Sequence, residues 1–245
     1  AGNHGKNMKE LVQILTPVWL LRGYKKISMQ FSRFKNMSTE EVFREIYKTN
    51  NWKSQESISG RGSELKQTES LVKGLEKLLD DLKPSSLLDI PCGDFRWMQK
   101  LDTSGIHYTG ADIVEELIIK NKEMFKNKVN VGFEVLNLIN DPLPKSDIII
   151  VRDCFVHFSF EDIFKALVNI KSSGSRYLLT TTFPEHRVNY NIVTGEWRTL
   201  NLQEKPFNFD PPILVISENC AEDNGKYLDK SMALWEIQKI ALPQR

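Results

Sequence analysis

The stretch 85–97 places the strongest constraint on how this chain folds. Residues 87–90 form a short apolar run of the kind found in strands that are covered on both faces of an α/β sheet. Asp89 stands at the end of this run, a turn of small residues follows, and a helix-like run extends over 96–101. Open α/β sheets build ligand sites from this strand-turn-helix order. Gly93 keeps the turn free of a side chain, so that backbone N–H groups can approach a ligand.

A second acidic residue follows at the distance that such a site requires. Asp112 comes about 20 residues after the turn, at the end of a second apolar run over 107–113, where a ribose-binding acid belongs. The alternative is an ordinary strand-helix turn in which Asp89 and Asp112 cap the helices that follow. The spacing repeats along the chain, and this repetition favours the ligand-binding interpretation.

Strand patterns alternate with helix patterns over most of the chain, which is typical of an α/β fold. The predicted helices are 39–47, 64–82, 114–125 and 160–170, and the predicted strands are 87–90, 107–113, 131–136, 147–151 and 176–182. Two further strands, at 213–217 and 231–237, are predicted to form an antiparallel pair that closes the sheet. The segment 183–212 lies before this pair, breaks the pattern and is too rich in aromatic residues for a disordered loop.

Composition limits the partners of the protein. The chain has 245 residues and a net charge of +1, so no bulk charge indicates nucleic acid as a partner. Its three cysteines have no metal-ligand spacing, which favours reduced thiols and a cytoplasmic location. No apolar run is long enough to cross a bilayer. Oligomeric state stays open.

The first 50 residues are predicted to form a helical extension before a domain that covers 51–245. Residues 1–5 resemble the remnant of an expression tag and carry no argument. The run 8–24 has roughly helical spacing and turns basic at its end. It is either a helix that associates weakly with a membrane surface or a helix that lies on the domain. The second interpretation is favoured, since the basic residues flank the apolar part.

The segment 85–97 resembles motif I of the class I S-adenosylmethionine (SAM) dependent methyltransferases. That motif has the form acidic-x-Gly-x-Gly-x-Gly. Asp89 holds the acidic place and Gly93 the middle glycine, whereas Pro91 and Phe95 replace the first and last glycines. The resemblance covers about 52–237. It implies a Rossmann-like, seven-stranded, mostly parallel sheet with helices on both faces and an antiparallel last strand.

Other segments resemble a bacterial subgroup of this family. They are Ser59-Gly60-x-Gly62-Ser63, Arg152-Asp153-Cys154-x-Val156-His157, Thr180-Thr181-Thr182-Phe183-Pro184 and Thr194-Gly195-x-Trp197-Arg198. Members of the subgroup occur among the proteins of surface-polysaccharide biosynthesis. These segments are similar to those of capsular sugar O-methyltransferases, including enzymes that act on nucleotide-linked heptoses. The implied reaction moves a methyl group from SAM to a sugar hydroxyl and releases S-adenosylhomocysteine.

The resemblance implies a set of cofactor-binding residues. Asp112 would bind the ribose, Asn137 and Leu138 the adenine, and Arg61 the carboxylate of SAM from a lid over 59–63. A plain linker is the alternative for the lid. The full set is Trp52, Arg61, Gly62, Ser63, Asp89, Pro91, Gly93, Asp112, Ile113, Asn137, Leu138 and Arg152.

Methyl transfer to a hydroxyl benefits from a general base. His157 follows the fourth strand and is the preferred candidate, and Asp153 and His186 are the alternative bases. Asp153 could instead orient His157 or contact the cofactor. The alternative role of His157 is packing at a helix start. Substrate contacts are predicted from the insertion 183–212, at Phe183, Arg187, Tyr190 and Trp197, and no metal site is predicted. Two other functions stay open: methylation of RNA or protein, and SAM binding without catalysis.

Overall fold

The computed structural model describes residues 29–220 and 225–242, and these form a seven-stranded sheet with helices on both faces. The strands are β1 (Ser86–Asp89), β2 (His107–Asp112), β3 (Val131–Val135), β4 (Ile148–Val151), β5 (Tyr177–Thr182), β6 (Leu214–Ser217) and β7 (Ser231–Glu236). The α-helices in the described part are α1 (Thr39–Thr49), α2 (Leu65–Leu82), α3 (Glu115–Met124) and α4 (Phe160–Ser172). Short 3₁₀ turns cover Arg61–Ser63, Met98–Lys100, Phe155–His157 and Ile237–Lys239.

The strand order is β3-β2-β1-β4-β5-β7-β6, and only β7 runs against the other strands. The chain therefore moves outward from β1 to β3 and returns to place β4 on the other side of β1. Leu87 of β1 pairs with Tyr108 of β2 on one side and with Ile148 of β4 on the other. Crevices form beyond the carboxyl ends of the strands at such a reversal, which makes the β1/β4 junction the expected ligand site.

Alternate residues of the central strands supply two separate cores. In β4, Ile149 and Val151 pack with the apolar face of α4, whereas Ile148 and Ile150 pack with α2 and α3. All four side chains are buried. This period-two division follows from strand geometry and gives the continuous apolar pattern of a strand covered on both faces.

Helix α1 begins with a capping box, in which Ser38 and Glu41 each bond the other's backbone N–H. Val42 and Ile46 lie on the buried face of this helix and pack with Phe34. This helix belongs to the part of the chain expected to be an extension, and it packs directly on the domain. The predicted helix over 8–24 lies outside the described residues.

The insertion 183–212 contains no regular helix or strand, yet it is packed into the α4 side of the molecule. Leu200, Leu202, Phe207 and Phe209 are all buried there. Its apolar composition therefore serves the core. The predicted fold class is confirmed, including the antiparallel β7. The helix-like run over 96–101 is shorter than expected, with only Met98–Lys100 in a 3₁₀ turn. None of the helices in the described ranges has the length and hydropathy needed to span a membrane.

Candidate functional site

A cleft lies beyond the carboxyl ends of β1, β2 and β4, where the topology places it. It contains about 950 Å³ of space, part of which is open to solvent. We call it the first cleft. Its lining comes from the motif I turn, the ends of β2 to β4, the 3₁₀ turn after β4, and helix α1. Among its lining residues are Pro91, Gly93, Asp112, Ile113, Asn137, Leu138, Arg152, Asp153 and His157.

Asp112 holds a carboxylate in the wall of the first cleft. Its Oδ1 accepts the N–H of Val114 at 3.0 Å, and its Oδ2 accepts the N–H of Gly93 at 3.2 Å. Burial raises the pKa of this carboxyl to about 6, against the lowering effect of those backbone donors. A carboxylate offers about four acceptor positions. With the backbone N–H groups of Val114, Gly93 and Ile113 as donors, the carboxylate of Asp112 still keeps acceptor capacity for a donor in the cleft.

The segment 59–63 packs against the motif I turn. The hydroxyl of Ser59 accepts the N–H of Asp94 at 3.1 Å, and the hydroxyl of Ser57 donates to the Asp94 carboxylate at 2.8 Å. A Cβ on Gly93, which has a φ of +56°, would lie 2.1 Å from the Ser59 hydroxyl. Only glycine fits at this position, because the segment approaches the turn so closely.

Part of the cleft wall is apolar and includes Ile113 and Leu138. Asn137 lies in the same wall, and its Oδ1 accepts the N–H of Ile139 at 2.9 Å. Helix α1 adds Phe43 and Tyr47 to the wall. A flat aromatic ligand group would therefore meet apolar surface next to one side-chain amide.

Arg152, Asp153, Glu218 and Lys230 form a charge cluster between β4 and the strand pair. Arg152 Nη2 lies 2.6 Å from Glu218 Oε2, and Lys230 Nζ lies 2.7 Å from Asp153 Oδ2. The pairs are also linked to each other, since Lys230 Nζ lies 3.3 Å from Glu218 Oε2 and Arg152 Nη1 lies 3.4 Å from Asp153 Oδ2. Arg152 also donates to the carbonyl of Gly62 at 2.7 Å. The cluster holds two basic and two acidic groups, so it is balanced in charge and also holds the segment 59–63 in place.

The charge cluster determines the state of Asp153. Burial disfavours its ionised form, but Lys230 and Arg152 lower the pKa of the carboxyl to about 2. Asp153 has a φ of +51°, and its N–H donates to the Thr181 hydroxyl at 2.8 Å. Asp153 is therefore a fixed negative charge rather than a group that accepts protons near neutral pH.

His157 is buried at the end of the 3₁₀ turn that follows β4. Its Nδ1 lies 2.9 Å from the carbonyl oxygen of Glu196, which is an acceptor only, so Nδ1 carries the proton. The ring of Trp52 lies 5.2 Å away between centroids. Burial lowers the pKa of His157, although the Glu196 carbonyl and Asp153 raise it. The imidazole is thus neutral at neutral pH, with Nε2 as its unprotonated nitrogen.

A second cleft adjoins the first and contains about 900 Å³ of space, part of which is open to solvent. Trp52, Ser59, Asp153 and His157 line both clefts, so these residues form the junction between them. The other residues that line the second cleft are Gly60, Arg61, Gly62, Phe183, Trp197, Cys220, Tyr227 and Lys230. Two ligands placed in the two clefts would meet beside the imidazole of His157.

Comparison with known proteins gives a result at the level of structure. No protein-family model and no curated protein matches the sequence. The chain is similar to the magnesium protoporphyrin IX methyltransferase ChlM from Synechocystis PCC 6803 with bound SAM, at a TM-score of 0.56 and 15% identity. That match covers 82% of this chain and 97% of ChlM.

The chain is also similar to the N-methyltransferase NodS from Bradyrhizobium japonicum WM9 in complex with S-adenosylhomocysteine, at a TM-score of 0.55 and 12% identity. That match covers 78% of this chain and 97% of NodS. The chain has the class I methyltransferase fold. The fold is not restricted to one chemistry, because the [4+2]-cyclase SpnF matches 68% of this chain and 70% of its own, at a TM-score of 0.51 and 14% identity.

Within this methyltransferase fold, Asp89 of the motif I pattern lies behind the wall of the first cleft. Its carboxylate accepts the hydroxyl of Tyr108 at 2.6 Å, and it is only 2% exposed. Burial raises its pKa to about 7, although the Tyr108 hydrogen bond lowers it. Asp89 therefore bonds Tyr108 of β2 inside the domain, whereas Asp112 lines the cleft.

Several residues predicted on or near the lid and on the insertion line one of the two clefts. Trp52, Ser63 and Gly62 line one or both clefts, and Arg61 lines the second cleft rather than the first. On the insertion, Phe183 and Trp197 line the second cleft.

Three other predicted residues of the insertion stand apart from the junction. His186 Nδ1 pairs with Asp229 at 3.2 Å, and Arg187 is largely in solvent, with its Nη1 3.7 Å from Glu204. Tyr190 is half-buried near Arg198, and burial raises its pKa. Of the histidines in the described ranges, only His157 is placed between the two clefts.

Several site residues were not found from the sequence. Glu218 and Lys230 complete the charge cluster from the strand pair, Tyr227 lines the second cleft, and Phe43 and Tyr47 line the first. For α1, the helical pattern around Val42, Phe43 and Ile46 indicated an apolar face but not the surface that it covers. Within the described residues, no group of His, Cys, Asp or Glu side chains has the arrangement of a metal site.

Proposed function

We propose that this protein is a SAM-dependent methyltransferase that transfers the methyl group to a sugar hydroxyl. The observation that carries the proposal is the junction of the two clefts, where a neutral His157 lies between the first cleft and a cleft with aromatic walls. The compartment proposed is the cytoplasm, which agrees with the free thiols of Cys92 and Cys154.

The first cleft offers SAM a hydrogen-bond acceptor for its ribose and an apolar wall for its adenine. Asp112 keeps acceptor capacity in the wall of the cleft, which suits the hydroxyls of a ribose. Ile113 and Leu138 provide the apolar wall for an adenine ring, and the side chain of Asn137 lies next to them. Ser59 and Ser63 close the cleft on the side of the lid, where the amino-acid end would bind. Bound SAM would supply a methyl group on a sulfonium, which is a good leaving group.

The residues at the junction would align the acceptor and remove its proton. His157 Nε2 would accept the hydroxyl proton as the oxygen forms its bond to the methyl carbon, while the electrons of the carbon–sulfur bond stay with sulfur. The products are a methyl ether, S-adenosylhomocysteine and a protonated His157. Asp153 is poorly suited to this role, because its pKa of about 2 makes it a weak base.

The second cleft supports an acceptor that has a ring and a negative charge. Trp52, Trp197 and Tyr227 give it aromatic walls, with Trp197 and Tyr227 5.0 Å apart between ring centroids. Aromatic rings pack well on the C–H face of a sugar. Arg61 adds an exposed guanidinium that could pair with a phosphate. We therefore propose a nucleotide-linked sugar of the heptose type, a precursor of capsular or surface polysaccharide.

The test is direct detection of methyl transfer. The protein is incubated with SAM and a panel of nucleotide sugars, and the products are analysed by mass spectrometry for one added methyl group and for S-adenosylhomocysteine. His157→Ala and Asp112→Ala serve as variants of the base and the cofactor site. We expect methylation by the wild type and its loss in both variants. SAM binding without turnover on the whole panel would count against this function and favour a non-catalytic role. Turnover of RNA or protein substrates alone would change the acceptor class.

A further inference from the structure

The insertion segment Thr194–Arg198 runs beside the turn that carries His157 and bonds it at several points. Gly195 N donates to the carbonyl of His157 at 2.8 Å, and Arg198 N donates to the carbonyl of Val156 at 3.0 Å. In return, the His157 ring donates to the carbonyl of Glu196 at 2.9 Å. The backbone and the ring of His157 are thus held by neighbouring residues of one segment.

A side-chain contact extends this pairing past the turn. The Thr194 hydroxyl accepts the N–H of Ser159 at 2.8 Å and donates to the carboxylate of Asp162. Ser159 is the N-cap of α4. The segment therefore ties the imidazole to the start of a helix, which is a rigid support.

Arg198 is the unusual member of the segment. Its side chain is fully buried, and its Nη1 donates to the carbonyls of Phe155 and Val156, each at 3.3 Å. Its Nε and Nη2 have no hydrogen-bond partner among the described residues. The ring of Phe160 lies 5.1 Å from its Cζ.

A buried guanidinium with no paired carboxylate is costly to the fold. Burial lowers the pKa of Arg198 to about 9, which is another expression of the same cost. An apolar residue of similar length would fill the space without this penalty. A buried, unpaired arginine at this position is therefore expected to serve the functional site rather than the stability of the fold.

Gly195 explains how the segment comes so close to its neighbours. Its φ is +100°, and a Cβ there would lie 2.5 Å from Val42 Cγ1 and 2.8 Å from Phe34 Cδ2. A side chain at this position would push the segment off α1. Val42 of helix α1 and Phe34 therefore pack closely against the segment at Gly195.

We propose that Thr194–Arg198 is a positioning segment for His157, in which Arg198 fixes the carbonyls of the turn and Glu196 fixes the imidazole tautomer. Apart from Trp197, which lines the second cleft, the residues of the segment act through contacts with the turn and ring of His157 and are positioning residues. This inference rests on the proposed function only in calling His157 a base. The geometry of the imidazole can be measured without any acceptor.

The charged groups around His157 give the expected direction of change. Burial is the main cause that lowers the pKa of His157. The Glu196 carbonyl and Asp153 raise this pKa, whereas Arg198 and Lys230 lower it. Removal of the Arg198 charge should therefore raise the pKa of His157. Loss of the two carbonyl contacts should also let the turn move, so that the Nδ1–H tautomer is no longer the single form.

The experiment compares Arg198→Met with Arg187→Met in the full chain. Arg187 lies on the same insertion but is 80% exposed, so it controls for the loss of one positive charge. The histidines are labelled with ¹⁵N, and the His157 signals are assigned by their absence in His157→Gln. Tautomer and pKa are read from the nitrogen shifts over a pH titration, and SAM affinity and the unfolding midpoint are measured on the same samples.

We expect Nδ1–H alone in the wild type and in Arg187→Met. In Arg198→Met, we expect a higher pKa, a mixture of tautomers, and SAM affinity within about twofold. Turnover should fall by about 10- to 100-fold, as for a small misplacement of a reacting group. The unfolding midpoint should stay level or rise. A large drop in the midpoint together with unchanged His157 signals would overturn the proposal, because Arg198 would then serve the fold alone.

A second pair of variants covers the case in which Arg198→Met does not fold. Thr194→Val removes the hydroxyl that joins Ser159 and Asp162, whereas Thr194→Ser keeps it. The His157 signals should change in the first and not in the second. Identical signals in both would refute the positioning role. A changed spectrum in a protein that methylates no acceptor would support the positioning segment and refute the proposed function.

Discussion

Replacement of Asp112 by alanine should weaken SAM binding more than any other single change in the first cleft. The carboxylate keeps acceptor capacity beyond its backbone donors, and ribose hydroxyls would use it. A hydrogen bond to a charged group contributes about 1.5–3 kcal/mol, and water compensates part of the loss. We therefore expect Asp112→Ala to cost about 2–4 kcal/mol, which corresponds to about 30- to 1000-fold in Kd.

The assay is isothermal titration calorimetry with SAM, and the matched control is Asp89→Asn. Asp89 is the acidic residue of the motif I pattern, but it bonds Tyr108 behind the cleft wall. An asparagine there keeps an oxygen for the Tyr108 hydroxyl, so SAM affinity should change by less than about twofold. The Asp112→Ala variant also leaves the N–H groups of Gly93 and Val114 without their partner, so its unfolding midpoint should be measured first and the titration run well below it.

The pH dependence supplies an independent check. Because burial raises the pKa of Asp112 to about 6, the free protein holds a proton there below that pH, and the proton must leave when the ribose binds. The Kd of the wild type should be level above pH 7 and rise as the pH falls through 6, and the rise should be absent in Asp112→Ala. Unchanged affinity in Asp112→Ala, or an equal loss in Asp89→Asn, would refute the cofactor placement.

Three further predictions concern the base, the lid and the charge cluster. His157→Ala should lower turnover by about 10²–10⁴-fold, with SAM affinity retained. The wild-type rate should rise with pH along a limb that lies below the ordinary histidine pKa, because burial lowers the pKa of His157, and this limb should vanish in the variant. Full activity of the variant would exclude His157 as the base. Amides of 59–63 should exchange hydrogen more slowly with SAM than without it, and equal exchange would make the segment a plain linker. Lys230→Met should lower the free energy of unfolding by about 3–5 kcal/mol in urea, because Asp153 and Glu218 lose a shared cation; an unchanged midpoint would show that the cluster contributes no stability.

The sequence is a good guide to the central sheet and to one side chain of the site. β4 has four consecutive apolar residues, and a strand buried on both faces is the structure that such a run favours. Asp112 was found because its place, at the end of β2 and after the motif I turn, follows from local order along the chain. Both features depend on neighbours in sequence, and sequence patterns report such neighbours directly.

The remaining parts of the site depend on contacts between distant segments. Lys230 is 77 residues from Asp153, and Glu218 is 66 residues from Arg152. These pairs form only because β7 inserts between β5 and β6, and no periodicity in the chain encodes that order. Asp89 shows that a motif can also mislead. Its position in the motif I pattern predicted a cofactor-binding residue in the cleft, but the hydroxyl of Tyr108 holds its carboxylate behind the cleft wall.

The charge cluster and His157 together explain how one junction could remain balanced during the proposed reaction. Before transfer, the sulfonium is positive and His157 is neutral; afterwards, the sulfur is neutral and His157 carries the proton. The positive charge thus moves within the junction, and the net charge there does not change. Asp153 lines both clefts and stays ionised, since Lys230 and Arg152 hold its pKa at about 2. A carboxylate that neither gains nor loses a proton can favour the positive charge at both of its locations, so the protein need not reorganise as the charge moves. On this argument, the residue that the sequence offered as an alternative base contributes as a fixed charge, and the proton goes to the imidazole.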